Sequence, residues 1–182
     1  MASLIDEKLL HNSFQSQETV RNNLIPKKIE IFAWRSLRKR IPTRVELDKK
    51  YIDLNSVRCP MCDDGLETVE HAILFCKCAM EVWTRVFQWW NLGAVSTISI
   101  TEIFKDATPY SSSSGNSILW QAVKWVTGFG KKFSSSSMML NEIQCKSFKW
   151  LTKRSKRCKF DWHQWFTQPS SCGFSSPRAG VG

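Results

Sequence analysis

Apolar residues recur along this chain at helical intervals. The clearest run is Ala79, Val82, Trp83, Val86, Phe87 and Trp90, at i, i+3, i+4, i+7, i+8 and i+11, with Lys77, Glu81, Thr84, Arg85 and Gln88 opposite. That spacing predicts one amphipathic helix burying a single stripe, and Asn91-Leu92-Gly93 marks its end. Tryptophans at this spacing read as core rather than as a base-stacking platform. Upstream, Ile29, Phe32, Ala33 and Leu37, widened by Ile31 and Trp34, predict a helix over residues 27–40. Pro26 opens it where a missing N–H costs nothing, and Pro42 ends it. Thr43-Arg44-Val45-Glu46 reads as a capping box for a short second helix presenting Val45 and Leu47. Downstream, Ile118, Leu119, Ala122 and Trp125 or Val126 predict a short helix. Leu140, Ile143, Ser147, Trp150 and Leu151 predict a longer one from about residue 138 to 157. Trp162, Trp165 and Phe166 form a last apolar cluster.

These elements give a mainly α fold: a small helical module, a C-terminal helical extension and a disordered tail. The divisions fall at a polar, mobile lead-in (1–22), the module (23–93), a linker containing the Ser111–Gly115 run (94–117), a basic extension (118–167) and a Ser-, Gly- and Pro-rich tail (168–182). At 182 residues, 42% hydrophobic and with nine tryptophans, the chain can bury a core in at least one domain. No window approaches about 18 uninterrupted apolar residues, so no membrane span is expected. Asp6, Glu7 and Lys8 stand where a secretory signal needs an apolar stretch. An intracellular setting follows, in nucleus or cytoplasm, with the seven cysteines reduced or metal-bound.

Four of the candidate ligands lie close together, as Cys59-x2-Cys62-x8-His71-x4-Cys76. Zinc takes thiolate and imidazole ligands tetrahedrally, and four protein ligands make the site structural. The Cys-Pro-Met-Cys step puts two thiolates on one turn, and Asp63, Asp64 and Gly65 make a polar turn after it. A helix carrying His71 near its start would bring Cys76 to the same metal if it breaks near Cys76. Free buried cysteines are the alternative reading, but ligand types and spacing favour one zinc ion. Cys78 could replace Cys76 as the fourth ligand; Cys76 is preferred, with Cys78 packing against the following helix. Cys145, Cys158, Cys172, His11 and His163 lack ligand-spaced partners and read as inert.

The net charge of +10 is concentrated in two blocks. Lys27, Lys28, Arg35, Arg38, Lys39 and Arg40 lead the first. Lys146, Lys149, Lys153, Arg154, Lys156, Arg157 and Lys159 make the second, with no acid among them. Solvated helix faces are the bland explanation, but two basic blocks flanking a mildly acidic zinc segment suggest RNA or DNA as the partner. Lys153-Arg154-Ser155-Lys156-Arg157 is also a candidate nuclear-import run.

The run Ile25-Pro26-Lys27-Lys28-Ile29 to Phe32-Ala33-Trp34-Arg35, then Ile41-Pro42-Thr43-Arg44, resembles the zinc-binding domain at the C-terminus of plant LINE-type reverse transcriptases, non-LTR retrotransposon enzymes. So do Cys59-Pro60-Met61-Cys62, Glu67-Thr68, Glu70-His71, Cys76 and Val82-Trp83. The likeness runs over residues 24–92. The stretch from Trp120 to Pro169 resembles the segment that often follows, departing from its Trp-Lys-x-Arg-Asn-like pattern at Trp125-Val126-Thr127-Gly128-Phe129-Gly130. The resemblance implies a nucleic-acid-binding accessory to a reverse transcriptase, with Cys59, Cys62, His71 and Cys76 as ligands.

Polymerase chemistry is not expected. Nucleotide addition needs carboxylates holding two cations, and the one adjacent aspartate pair, Asp63-Asp64, sits in the zinc turn. No P-loop or Ser/His/Asp arrangement is present, and no small-molecule substrate is expected. The expected function is therefore a structural-zinc domain. It would touch phosphates through Lys27, Lys28, Arg35, Arg38, Lys39 and Arg40, with Arg154, Lys156 and Arg157 as a second patch. The alternatives are a docking scaffold for a polymerase domain or other protein, using exposed Trp89, or a retroelement remnant without function.

Overall fold

A computed structural model of the chain describes residues 24–93, 99–105, 119, 120, 123, 124, 127, 135–155 and 161–172. Its regular elements are α1 (Lys27–Leu37), α2 (Arg44–Asp48), a π-helical turn (His71–Phe75), α3 (Lys77–Trp89), α4 (Ile100–Lys105), α5 (Ser136–Arg154), α6 (Trp162–Thr167) and a 3-10 turn (Pro169–Ser171). Among the described residues β pairing is confined to one isolated antiparallel bridge, Arg58 to Leu66. The fold is mainly α, as expected. No described helix is long and apolar enough to cross a membrane.

Helix α3 is the centre of the packing. Val82, Trp83, Val86, Phe87 and Trp90 of the predicted stripe are all buried. The helix ends when Asn91 takes a left-handed φ of 54°. Leu92 N–H then donates to Phe87 O (2.9 Å) and Asn91 N–H to Gln88 O (3.0 Å), the paired bonds of a Schellman cap. The same cap closes α1, with Lys39 at φ 52°, and α2, with Tyr51 at φ 58°. Helix α1 therefore stops at Leu37, before the residue 40 predicted from Pro42.

The expected capping box at Thr43 is corrected. Thr43 is the N-cap of α2 but makes no side-chain cap bond, and its buried hydroxyl has no partner. The cap comes from afar, where Arg44 N–H donates to Glu67 Oε2 at 2.9 Å. A true capping box forms inside the expected linker instead. Ser99 N–H donates to Glu102 Oε2 (2.6 Å) and Glu102 N–H to Ser99 Oγ (3.1 Å), opening α4. Ile100 and Ile103 of α4 are buried and the helix packs on α1, so the segment 99–105 is part of the body.

One hydrophobic core runs from Ile25 to Cys172. Helix α5 packs across α3, and α6 packs on α5 and the 3-10 turn. The junction is aromatic: Trp90 meets Trp120 (ring centroids 5.0 Å), Phe87 meets Trp120 (5.5 Å) and Trp89 meets Trp165 (5.3 Å). Such pairs add to the large area each ring removes from water. The core does not divide at residue 93, and the basic extension shares it. In α5 Ile143, Gln144, Ser147 and Leu151 are buried while Leu140 and Trp150 are half-buried. Of the helix expected after residue 118, Leu119, Trp120, Val123, Lys124 and Thr127 are helical and buried. Leu119 of the predicted face is thus buried, while Ile118, Ala122, Trp125 and Val126 lie outside the described residues. The ordered chain also passes residue 168, since Pro169 and Cys172 are buried. The lead-in before residue 24, the Ser111–Gly115 run and the tail after residue 172 lie outside the described residues.

Candidate metal centre

The segment 57–76 builds a metal cage from three local devices. The first is a short hairpin: Glu67 N–H donates to Val57 O (2.9 Å) and Cys59 N–H to Gly65 O (2.7 Å) around the Arg58–Leu66 bridge. The second is the turn after Cys59, where Asp63 adopts φ 53° and its N–H donates to Cys59 O at 2.9 Å. The third is the π-helical turn. In an α-helix, residues five apart point roughly 140° away from each other. Here Cys76 N–H donates to His71 O (2.7 Å) across the widened turn, and backbone at Cys76 is extended, with ψ 134°. His71 and Cys76 are thereby turned to one side. Such π turns concentrate at functional sites.

Cys59, Cys62, His71 and Cys76 converge, with one ligand atom from each all within 4.8 Å of one another. Cys59 Sγ lies 3.9 Å from Cys76 Sγ, and Cys62 Sγ lies 3.2 Å from His71 Nε2. A tetrahedron with Zn–S bonds of about 2.3 Å has edges of about 3.8 Å, so the spacing fits zinc. Three thiol ligands and one imidazole form one structural zinc site. All four positions are supplied by protein, which leaves no metal face for a substrate. The sequence preference for Cys76 over Cys78 is met. The expectation that Cys78 packs against the following helix is not: it is exposed, with its thiol 3.7 Å from Met61 O.

Backbone N–H groups prepare the sulfurs for charge. The Asp64 N–H, helped by the His71 ring and opposed by partial burial, lowers the Cys62 thiol to about 6. Burial pushes Cys59 up despite the N–H groups of Met61 and Cys62, and likewise Cys76 despite those of Ala79 and Cys78. Cys76 stands at the N-cap of α3, so its sulfur takes the place a capping oxygen usually fills, at the positive end of that helix. Burial and metal are thus opposed at Cys59 and Cys76, and the ion decides their protonation.

Residues beyond the ligands hold the cage. Thr68 Oγ1 accepts from His71 N–H at 3.1 Å, and the indole of buried Trp83 donates to Ile73 O at 2.8 Å, fastening the π turn to α3. Gly65 lies beneath the imidazole, where a Cβ would stand 2.9 Å from His71 Cε1. Glu67 ties the hairpin to α2, and Glu70 pairs with Lys39 at the end of α1 (2.8 Å). Sequence reading placed Gly65 only as a turn former. Its closeness to the ring depends on a fold that spacing does not encode.

The basic residues fall as follows. Lys28, Arg35 and Arg40 are exposed. Lys27 pairs with Glu30 at 2.7 Å, and Arg38 lies over the Trp34 ring at 4.4 Å. Arg154 Nη1 donates to Ile25 O at 3.0 Å, so the end of α5 meets the start of α1. Lys156 and Arg157, the last two residues of the import-like run, lie outside the described residues. Trp89 is not a free docking ring, because its indole donates to Phe166 O at 2.9 Å.

The family model described as zinc-binding in reverse transcriptase matches residues 5–83, which hold all four ligands. It is the zinc-binding domain, not the polymerase domain, that matches. No curated protein and no solved structure matches the chain.

Proposed function

We propose that this zinc-binding domain of the reverse-transcriptase type is a nucleic-acid-binding accessory, holding RNA or DNA for a polymerase domain and doing no chemistry itself. One observation carries the reading. The Arg154 bond to Ile25 O joins basic blocks 129 residues apart in sequence. Arg154 thereby sits beside the start of α1, and Lys27, Lys28, Arg35, Arg38 and Arg40 are exposed, as are Lys153 and Arg154. Lys39 is exposed as well, at the seam with the metal cage, through Glu70. A cationic surface of this kind binds phosphates with little regard to sequence. Zinc fixes the cage that positions α1, and closure of the metal by four ligands accounts for a binding role rather than a catalytic one.

The test is binding of the zinc-loaded chain to single-stranded RNA and DNA across a salt series. With about five phosphates engaged, log affinity should fall against log salt with a slope of about −3.5. Reversing Lys27, Lys28, Arg35 and Arg40 to glutamate should abolish binding while zinc content stays at one per chain. No binding at low salt, a negligible slope, or unchanged binding by the reversed variant refutes the reading. A protein partner retained by that variant would favour a docking scaffold instead.

A further inference from the structure

Tyr51 is 98% exposed, whereas no other exposed large hydrophobic among the described residues exceeds 57%. Its position is unusual as well as its exposure. It occupies the left-handed C′ site of the α2 cap at φ 58°, where glycine or asparagine is usual and a bulky side chain is strained. The backbone there is pinned by Tyr51 N–H to Asp48 O (2.8 Å) and Ile52 N–H to Leu47 O (3.2 Å). An aromatic ring on a fixed backbone has few torsions left to order when it meets a flat partner. Packing does not explain it, because the ring packs against nothing.

The neighbours say what the partner is. Lys49 and Lys50 precede the ring and are exposed. Lys49 pairs with Glu46 at 2.7 Å. This loop is separated from the exposed Lys39 and Arg40 at the end of α1 only by the five-residue α2 and its lead-in. Asp48 and Asp53 are exposed beside it, so attraction for phosphate is modest and the ring has to carry the contact. Ile52, 46% exposed, is the one other apolar residue of the loop that is exposed rather than half-buried, too little for the buried centre of a protein interface.

Resting on the nucleic-acid reading above, we propose that Tyr51 is a base-stacking residue for a single-stranded polynucleotide, with Lys49 and Lys50 at the flanking phosphates. A π face accepts any base, so the contact is indifferent to sequence but requires an unpaired base. A duplex, whose bases are already stacked, gains nothing from it.

The experiment uses the full zinc-loaded chain with short oligo-U, oligo-dT and an abasic strand of the same backbone. Tyr51→Ala should weaken binding to the base-bearing strands about tenfold, with the salt slope unchanged and abasic binding unaltered. Tyr51→Phe should bind as the wild type does. A larger loss on oligo-U than on oligo-dT, or the reverse, tells which strand the ring serves. Zinc content and helicity equal to wild type show that Tyr51→Ala folds. Wild-type affinity in Tyr51→Ala overturns the inference while leaving the cationic surface standing. Equal losses on base-bearing and abasic strands overturn it too, since they remove the base from the contact. Failure of the wild type to bind any strand overturns both readings.

Discussion

Replacing Gly65 with alanine should weaken zinc binding without weakening the metal-free chain. A Cβ at this position would stand 2.9 Å from His71 Cε1, 3.1 Å from Nδ1 and 3.6 Å from Nε2, where ordinary contact begins at 3.4 Å. The imidazole would have to retreat by about 0.5 Å, and metal–ligand distances tolerate only about 0.2 Å. With metal present the ring is fixed through Nε2, 3.2 Å from Cys62 Sγ, so it cannot turn aside. Without metal it can, and no described glycine has a positive φ, so alanine suits the backbone and shortens the unfolded chain's list of conformations. Losses from mutating groups that orient a metal ligand run about 10–100-fold in affinity, or roughly 1.4–2.7 kcal/mol. Gly93 is the matched control, since a Cβ there meets nothing within 4 Å. Competition against a chromophoric chelator would read the affinities, and far-ultraviolet dichroism in excess chelator the metal-free helicity. Wild-type zinc affinity in Gly65→Ala, or an equal loss in Gly93→Ala, would refute the reasoning.

Three further outcomes follow from the same geometry. Zinc binding at pH 7.5 should release about two protons from the thiols, because burial keeps Cys59 and Cys76 protonated while Cys62, at about 6, has already lost its own; titration calorimetry in buffers of different ionisation enthalpy counts them, and affinity should fall as pH falls. Glu67→Ala should cost about 1 kcal/mol by uncapping α2, whereas Thr43→Val should cost less than about 0.5 kcal/mol because the hydroxyl makes no bond; equal costs in chemical denaturation would restore Thr43 as the cap. Tyr51→Gly should raise stability by about 1 kcal/mol through relief of its left-handed backbone, and a fall in thermal midpoint would show that the ring has a packing role.

The α3 stripe and the ligand set were legible in the sequence because each rests on a local rule: a period of 3.6 and a ligand spacing. What stayed hidden was non-local. Thr43-x-x-Glu46 and Ser99-x-x-Glu102 obey the same capping rule, yet only the second forms, since Glu67 reaches Arg44 N–H from 23 residues away. Helix α4 was passed over because its six residues, Ile100–Lys105, are too short to show a period, although the Ser99 box announced it. Burial of Trp120 was not legible because its partners, Phe87 and Trp90, lie far away along the chain. The Schellman caps of α1 and α2, with Lys39 and Tyr51 in the glycine position, could not be seen from glycine placement, whereas Asn91-Leu92-Gly93 did mark the end of α3.

The metal also explains how so polar a segment is held in place. Between residues 57 and 76 the buried apolar side chains other than ligands are Val69, Ile73 and Leu74, too few to fix a hairpin and a helical turn against α3. A four-ligand closure does what a larger core would do, because metal binding supplies folding free energy. Its influence then travels outward along two carboxylates, Glu67 to the start of α2 and Glu70 to the end of α1. The second of these is an ion pair with an exposed lysine, screened by water and worth little as attraction. Glu70 is depressed by Lys39, so what the pair does contribute is present above the usual carboxylate range and is lost as pH falls through its lowered value. What the metal transmits to the cationic surface is therefore position rather than charge. Glu70 directly precedes His71, and wherever the metal holds the imidazole, Glu70 sets where Lys39 and the end of α1 can lie.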